Sequence, residues 1–186
     1  MSFLPLSLVV ITHNEGLNIA RCLDSVPFAA DKLVMDSGST DDTVAIAQAH
    51  GARVVHQDWL GFGPQRNFAS TQATHDWILV LDADEFLSPE LAADLERGLP
   101  ALMASSHSAA WLRRRTWLMG APMRWYRPMV GERMARLYHR DRARWTEARV
   151  HELNASLEDR VQERTAELHA SNAELVLYAV RQGLVN

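Results

Sequence analysis

WILVLDADE, residues 77–85, sets the reading of the whole chain. Its apolar part, Ile78 to Leu81, reads as a strand buried on both faces, because no polar residue alternates with the apolar ones. The run stops at Asp82 and Asp84, so two carboxylates sit at or just past a strand's carboxyl end, where open α/β sheets place their ligands. With Glu85 beside them, carboxylates at this spacing suit Mg²⁺ or Mn²⁺, hard ions that take oxygen ligands and keep positions free for phosphate oxygens. The same acids would also suit a plain loop ahead of a helix starting at Ser88-Pro89, and D-x-D alone does not separate the two readings.

The residues upstream weigh on that choice. Residues 6–12, LSLVVIT, form an apolar, β-branched run that ends at Thr12-His13-Asn14-Glu15-Gly16. A helix with Ile19, Cys22, Leu23 and Val26 on one face follows and stops at Pro27. A short strand, Lys32 to Met35, leads into Asp36-Ser37-Gly38-Ser39-Thr40-Asp41-Asp42-Thr43. There Ser39 is placed to cap the next helix, with Asp42 at the reciprocal position of a capping box, and the helix runs from Val44 to Gly51. Residues 53–56, RVVH, give a third strand, Gly61 and Gly63 a turn, and Pro64 the first position of a helix through Gln65-Arg66-Asn67. Strand and helix alternate throughout. The expected fold is therefore α/β, a mostly parallel sheet covered by helices on both faces.

Three polar loops then stand at strand carboxyl ends: Thr12 to Glu15, Asp36 to Asp42, and Asp82 to Glu85. In a parallel sheet these ends share one edge. Acids gathered there repel one another unless a cation or hydrogen-bond donors compensate, which favours a nucleotide and metal site over a chance gathering of solvated loops. Neither G-x-G-x-x-G nor the Walker pattern occurs, which disfavours dinucleotide enzymes and kinases.

Together, Val10-Ile11-Thr12-His13-Asn14-Glu15, the Asp36-to-Asp41 loop and Leu81-Asp82-Ala83-Asp84-Glu85 resemble the nucleotide-sugar half of family 2 glycosyltransferases, which have the GT-A, Rossmann-like fold. Gly61-Phe62-Gly63-Pro64-Gln65-Arg66-Asn67, Arg136-Leu137-Tyr138 and Val150-His151-Glu152 look like the branch that adds sugars to the lipopolysaccharide core. The resemblance covers residues 6–152. It implies that Thr12, Asn14, Glu15 and Asp36 hold the uridine of a UDP-linked donor, that Asp82 lies near the ribose and donor sugar, and that Asp84 binds the metal bridging the diphosphate. Arg66 would either contact a phosphate or neutralise the nearby acids. An inverting transfer also needs a base for the acceptor hydroxyl. Glu152 is the first candidate, with His151 orienting it or helping to bind the metal; the alternative is that both simply open the last helix. A nucleotidyltransferase on a similar sheet fits less well, since the basic glycine-rich loop after the first strand is missing.

The charge is uneven. Residues 1–110 hold 14 acids and 5 bases, residues 111–149 hold 3 and 11, and all eleven of those bases are arginine, interleaved with Trp111, Trp117, Trp125 and Trp145. Such a block is either a solvated arginine face over core tryptophans or a surface for an anionic membrane leaflet. Nucleic acid is disfavoured because the rest of the chain is acidic. Family members usually carry a glycine-rich turn and a tryptophan ahead of the Arg-Leu-aromatic motif, whereas this chain reads Trp125-Tyr126-Arg127-Pro128-Met129-Val130-Gly131.

From Glu152 the text changes to ELNASLEDRVQERTAELHASNAELVLYAV, without proline or glycine. Leu157, Val161, Arg164, Leu168, Ser171, Leu175 and Tyr178 recur at steps of four and three, a coiled-coil seam with polar inner positions. Up to about Leu175 it resembles the signalling helix ahead of sensor histidine kinase cores, though no kinase core follows. Residues 1–110 thus read as a donor half, 111–152 as an acceptor-side segment, and 153–186 as a helical tail able to pair two chains. At 186 residues the chain suffices for one domain with an appendage. No apolar run reaches the ~20 residues of a membrane span and no signal peptide is evident, which points to the cytoplasm, at most peripheral to the inner face of the membrane. The single cysteine, Cys22, reads as a core residue. The expected activity is metal-dependent transfer of a sugar from a nucleotide to a glycan or glycolipid acceptor; the alternative is a nucleotide-binding or helix-mediated interaction protein without catalysis.

Overall fold

Strands whose residues alternate between two apolar faces dominate the computed structural model, which describes residues 3–112, 117–118, 121–122 and 135–145. Readings that fall on other positions, including the His151-Glu152 pair, Trp125 and the helical tail, lie outside the described residues. The elements are β1 (Leu4–Thr12), α1 (Ile19–Asp24), β2 (Ala29–Asp36), α2 (Thr43–Ala49), β3 (Arg53–His56), α3 (Phe62–Gln72), β4 (Trp77–Asp82), α4 (Pro89–Met103), β5 (Ala109–Ala110), β6 (Trp117–Leu118), β7 (Ala121–Pro122) and β8 (Leu137–His139). One six-stranded sheet has the order β3-β2-β1-β4-β8-β5, and β6 and β7 form a separate antiparallel pair. The first four strands are parallel, joined by helical crossovers; β8 adds antiparallel to β4, and β5 antiparallel to β8. The expected mostly parallel α/β sheet is present.

Both faces of the central strands are buried. Leu6, Leu8 and Val10 of β1 and Trp77, Leu79 and Leu81 of β4 pack with Ile19, Cys22 and Leu23 of α1, Ala47 of α2 and Leu99 of α4. Val9 and Ile11, with Ile78 and Val80, pack on the opposite side against Ala69 of α3 and Tyr138 of β8. The period of two along each strand sorts side chains to the two faces, so a continuous apolar run is what such a strand requires. Among the described residues no helix is long and apolar enough to cross a membrane.

Several element limits differ from the sequence reading. β2 begins at Ala29, three residues before Lys32, because Asp31 is tolerated inside the strand. Its buried carboxylate accepts hydrogen bonds from Ser7 Oγ at 2.7 Å, Arg53 Nε at 2.9 Å and the Thr74 N–H at 2.8 Å. Helix α2 starts after Asp42 with no side-chain cap, so the capping box at Ser39 is absent, and α3 starts at Phe62 rather than Pro64. Gly51 ends the α2 turn at φ +78°, as its position suggested.

Asp31 yields a stability test. Burial alone would raise its carboxyl, but the bonds from Arg53, the Thr74 N–H and Ser7 outweigh it and bring it from 3.8 down to about 2. A depressed folded-state value gives stability that is present above the ordinary carboxylate range and lost as pH falls toward that of the folded group. Asp31→Ala should therefore cost about 2–3 kcal/mol at neutral pH by denaturant unfolding, since it leaves the buried Ser7 hydroxyl without its acceptor and removes the bonds from Arg53 and the Thr74 N–H. The difference from wild type should shrink as pH falls from 4 to 2.

Candidate active site

Register brings the predicted residues to one edge. Thr12 of β1 lies opposite Asp36 of β2, and Ile11 lies opposite Asp82 of β4. The loops after β1 and β2, and the Asp82–Glu85 turn after β4, therefore leave the sheet side by side. Thr12, Asn14, Glu15, Asp36, Asp82 and Asp84 share this rim, and Arg66 reaches it from α3.

The first two loops are sewn together. The Asn14 N–H donates to Ser39 Oγ at 2.8 Å, and the Thr40 N–H donates back to Asn14 Oδ1 at 2.8 Å. The Glu15 N–H donates to Thr43 Oγ1 at 2.8 Å, and the Gly16 N–H to Asp41 Oδ2 at 3.1 Å. Asn14 adopts φ +56°, a left-handed conformation that asparagine tolerates better than most side chains. A Cβ at Gly16 would come within 3.1 Å of Asp41 Oδ2, so a larger residue there would push the Asp41 carboxylate by a few tenths of an ångström. Asp36 Oδ2 accepts the N–H groups of Gly38 and Ser39, both at 3.0 Å, and the Glu15 carboxylate accepts from Asn18 Nδ2 at 2.8 Å. Asn14, Glu15 and Asp36 thus build the rim, while the buried Thr12 Oγ1 has no hydrogen-bond partner.

Around β4's end the charges form a network in which the buried Arg66 Nε and Arg136 Nη1 have no hydrogen-bond partner. Arg66 Nη2 lies 2.7 Å from Asp82 Oδ1, and Arg136 Nη2 lies 2.9 Å from Asp82 Oδ2 and 2.6 Å from Glu85 Oε1. The turn also closes on itself: the Glu85 N–H donates to the Asp82 carbonyl at 2.8 Å, and Glu85 Oε2 accepts from the Asp82 N–H at 3.1 Å. Burial would raise the Asp82 carboxyl, but the charges of Arg136 and Arg66 outweigh it and hold the group below its ordinary range. Burial likewise pulls Arg136 down, and Asp82 and Glu85 overcome it, so that guanidinium is raised. Arg66 thus pairs with Asp82 through Nη2, while its buried Nε has no hydrogen-bond partner. Its guanidinium also sits 4.8 Å from the Trp145 ring and 5.5 Å from the Phe62 ring. Asn67 clamps the Trp145 backbone from both sides, donating to its carbonyl at 2.8 Å and accepting its N–H at 3.0 Å.

Asp84 differs from its neighbours. It is exposed and, among the described residues, makes no hydrogen bond or ion pair. A free hard carboxylate two residues past a strand end fits a divalent cation. Asp82 fits less well, since each of its oxygens is already held by a guanidinium; its charge-balanced, partly exposed carboxylate suits a neutral hydroxyl. Asp76, His139 and Asp141 also gather ligand atoms within 4.8 Å, but Asp76 precedes β4 and so lies at the opposite end of that strand. Arg140 already pairs with Asp76 at 2.7 Å.

The arginine block divides by burial. Arg136 and Arg140 are in ion pairs, so they are not offered to a membrane, whereas Arg142 and Arg144 are exposed. Sequence reasoning placed Arg136 only within a motif and did not assign it to Asp82 and Glu85. The signal available was a charge directly before the buried pair Leu137-Tyr138, which demands a carboxylate partner at the mouth of the sheet. Cys22 is buried, as expected, and its thiol donates to the Asp82 carbonyl at 3.7 Å. Burial, then the acids Glu85, Asp82 and Asp84, push that thiol far up, which leaves it unreactive.

The sequence matches a family model and several known proteins. The family described as "Glycosyl transferase family 2" matches residues 7–157. A protein of Rickettsia felis named "Uncharacterized glycosyltransferase" is 49% identical over 92 residues, covering 49% of this chain and 32% of the relative. "Lipopolysaccharide core biosynthesis glycosyltransferase LpsC" of Rhizobium meliloti is 35% identical over 124 residues, covering 63% of this chain and 44% of the relative. Among solved structures, glucosyl-3-phosphoglycerate synthase from Mycobacterium tuberculosis in complex with UDP has a TM-score of 0.47 at 26% identity, over 56% of this chain and 42% of that one. The chain spans about a third of the length of the Rickettsia relative, and under half that of LpsC.

Proposed function

The chain belongs to glycosyltransferase family 2, and from that premise we propose that it transfers a sugar, with inversion, from a UDP-linked donor to a lipopolysaccharide-core-like glycan or glycolipid at the cytoplasmic leaflet. One observation carries the reading. Strand register aligns Thr12, Asp36 and Asp82 on one rim, and Asp84 stands beside them exposed and without a partner among the described residues. The likeness to LpsC supports the choice of acceptor class.

In this reading residues 1–110 form the donor half of a GT-A-type sheet, residues 111–152 the acceptor side, and residues 153–186 a tail that pairs chains. Thr12, Asn14, Glu15 and Asp36 hold the uridine, and Asp82 accepts from hydroxyls of the ribose or donor sugar. Its two guanidinium partners keep it ionised and fix its orientation, so it can accept but not donate. Asp84 holds Mg²⁺ or Mn²⁺, which when bound neutralises charge on the leaving diphosphate. Glu152 takes the acceptor hydroxyl's proton and His151 orients it. The rim holds both substrates in line, which lowers the barrier by positioning alone.

The test is to incubate the full chain with a panel of nucleotide sugars, Mn²⁺ and a deacylated core oligosaccharide, following release of nucleotide diphosphate and the mass of the glycan. UDP release with one hexose added to the glycan is the expected result. Binding of UDP without turnover would overturn catalysis and assign the chain to nucleotide binding alone.

A further inference from the structure

Helix α3 and the chain that follows β8 are strapped together at two places and stand apart between them. Toward the rim, Asn67 holds the Trp145 backbone at 2.8 and 3.0 Å. At the far end Arg140 Nη1 donates to the Ala73 carbonyl at 2.8 Å, and the Arg140 N–H donates to the Asp76 carbonyl at 2.9 Å. Asn67 and Ala73 are six residues apart, about 9 Å along a helix. Between the straps the Arg142 and Ala143 N–H groups both turn back to the His139 carbonyl at 3.0 Å, so this backbone is satisfied by itself and not by α3. The gap is a cavity of about 470 Å³, lined by Asn67, Phe68, Thr71, Tyr138, Asp141 and Arg144, among others. Its floor is fixed. The Tyr138 hydroxyl and Ser70 Oγ share a hydrogen bond at 2.7 Å, and both residues are buried.

We propose that this cleft is a second carbohydrate site, seating an inner sugar of the acceptor glycan while the reacting sugar lies at the rim; the proposal rests on the glycan-acceptor reading above. Its volume falls within the ~300–1,000 Å³ of cavities that hold small organic ligands. Its chemistry selects a neutral polyhydroxyl. The Asp141 carboxylate can only accept and the Arg144 guanidinium can only donate, and both are exposed and without a partner among the described residues. An anion in the cleft would meet Asp141, and a cation would meet Arg144. Sugar hydroxyls donate and accept, so they satisfy both groups at once. Phe68 and Tyr138 add aromatic surface for the apolar face of a sugar ring. The location sets which sugar is held. Tyr138 pairs with Ile78, four residues before Asp82, so the cleft floor is roughly 13 Å from the rim along β4. Trp145, strapped at the upper end, meets the Arg66 guanidinium that pairs with Asp82. A glycan whose accepting hydroxyl is at the rim therefore reaches the cleft only through sugars further along its chain. Because both straps are intact without a ligand, the walls lose little freedom on binding.

The experiment gives the full chain two acceptors, a deacylated and dephosphorylated core oligosaccharide and the disaccharide from its accepting end. Calorimetric titration with the oligosaccharide, without donor or metal, reads the cleft apart from transfer. Wild type should show a KM for the oligosaccharide about tenfold below that for the disaccharide. Arg144→Ala should remove this advantage, the size expected for one charged hydrogen bond, and should leave kcat and the disaccharide's KM within about twofold of wild type. Thr71→Trp, which puts a ring into the cleft from α3, should do the same. Both side chains are exposed, so thermal unfolding should match wild type and exclude misfolding as the cause. Equal KM values for the two acceptors in wild type, or oligosaccharide affinity and kinetics unchanged in both variants, would overturn the cleft and leave the transfer reading standing. A loss in Arg144→Ala that is equal for the disaccharide would put Arg144 at the rim and also overturn the cleft. Oligosaccharide binding that both variants abolish, in a chain that transfers to neither acceptor, would support the carbohydrate site and overturn the transfer reading. A chain that neither binds nor uses the glycans would overturn both.

Discussion

Asp84→Ala is expected to reduce metal-stimulated transfer by at least about a hundredfold, a barrier increase of about 2.7 kcal/mol, while leaving the protein folded. The two halves of that expectation have separate causes. Asp84 is exposed and touches no described partner, so its removal leaves no buried group orphaned and should alter unfolding free energy by less than about 0.5 kcal/mol. Its carboxylate is also the one at the β4 turn that is free to take a cation, because Asp82 is held by Arg66 and Arg136, and Glu85 by Arg136 and by the Asp82 N–H. Calorimetric titration with Mn²⁺, with and without UDP, reads the metal independently of turnover. In Asp84→Ala the Mn²⁺ signal should vanish. In Asp82→Asn it should persist, while UDP binds more weakly. Metal affinity that survived Asp84→Ala and fell in Asp82→Asn would exchange the roles of the two residues.

That division between Asp82 and Asp84 shows where the sequence is legible and where it stops. The buried strand, the acids at its end and the alternation that makes the sheet parallel are local patterns. A run such as Leu6 to Thr12 declares its own burial. The partners of the acids are not local. Arg136 lies 54 residues from Asp82, and nothing in spacing tells which of eleven arginines will arrive there. Ser39 fails as a helix cap for the same reason: its hydroxyl serves the Asn14 N–H, 25 residues earlier, and the carboxylate of Asp36. Asp31 shortened the expected second strand because a charge inside a strand reads as its end, until Ser7, Arg53 and Thr74 are seen to enclose it. Gln65 and Asn67 belonged to a recognised motif, yet their roles as loop anchor and backbone clamp depend on contacts with residues 37, 57, 60 and 145. Charge balance is thus visible in composition; its pairing is set by the sheet.

Arg136→Met should be the most destabilising single change at the rim, costing about 3–5 kcal/mol at neutral pH. Methionine keeps much of the side chain's volume, so the loss is electrostatic rather than a cavity. With the guanidinium gone, Arg66 alone faces Asp82, and Glu85 keeps a partly buried negative charge beside it. Two carboxylates bridged at present by one cation would then repel each other. The sign of the pH dependence follows. In wild type, Asp82 sits below the ordinary carboxylate range, so its contribution is present at neutral pH and lost in acid. The variant forfeits that contribution, and its penalty should be largest at neutral pH and should diminish in acid, where the wild type loses the same contribution. Arg136→Met combined with Glu85→Gln removes one charge of each sign, so part of the stability should return, with a coupling of about 1–3 kcal/mol in the double-mutant cycle. A penalty below about 1 kcal/mol that is independent of pH would mean that Arg136 fills space and does not hold the charges. Asp82 would then owe its ionisation to Arg66 alone, whose Nη2 lies 2.7 Å from its Oδ1.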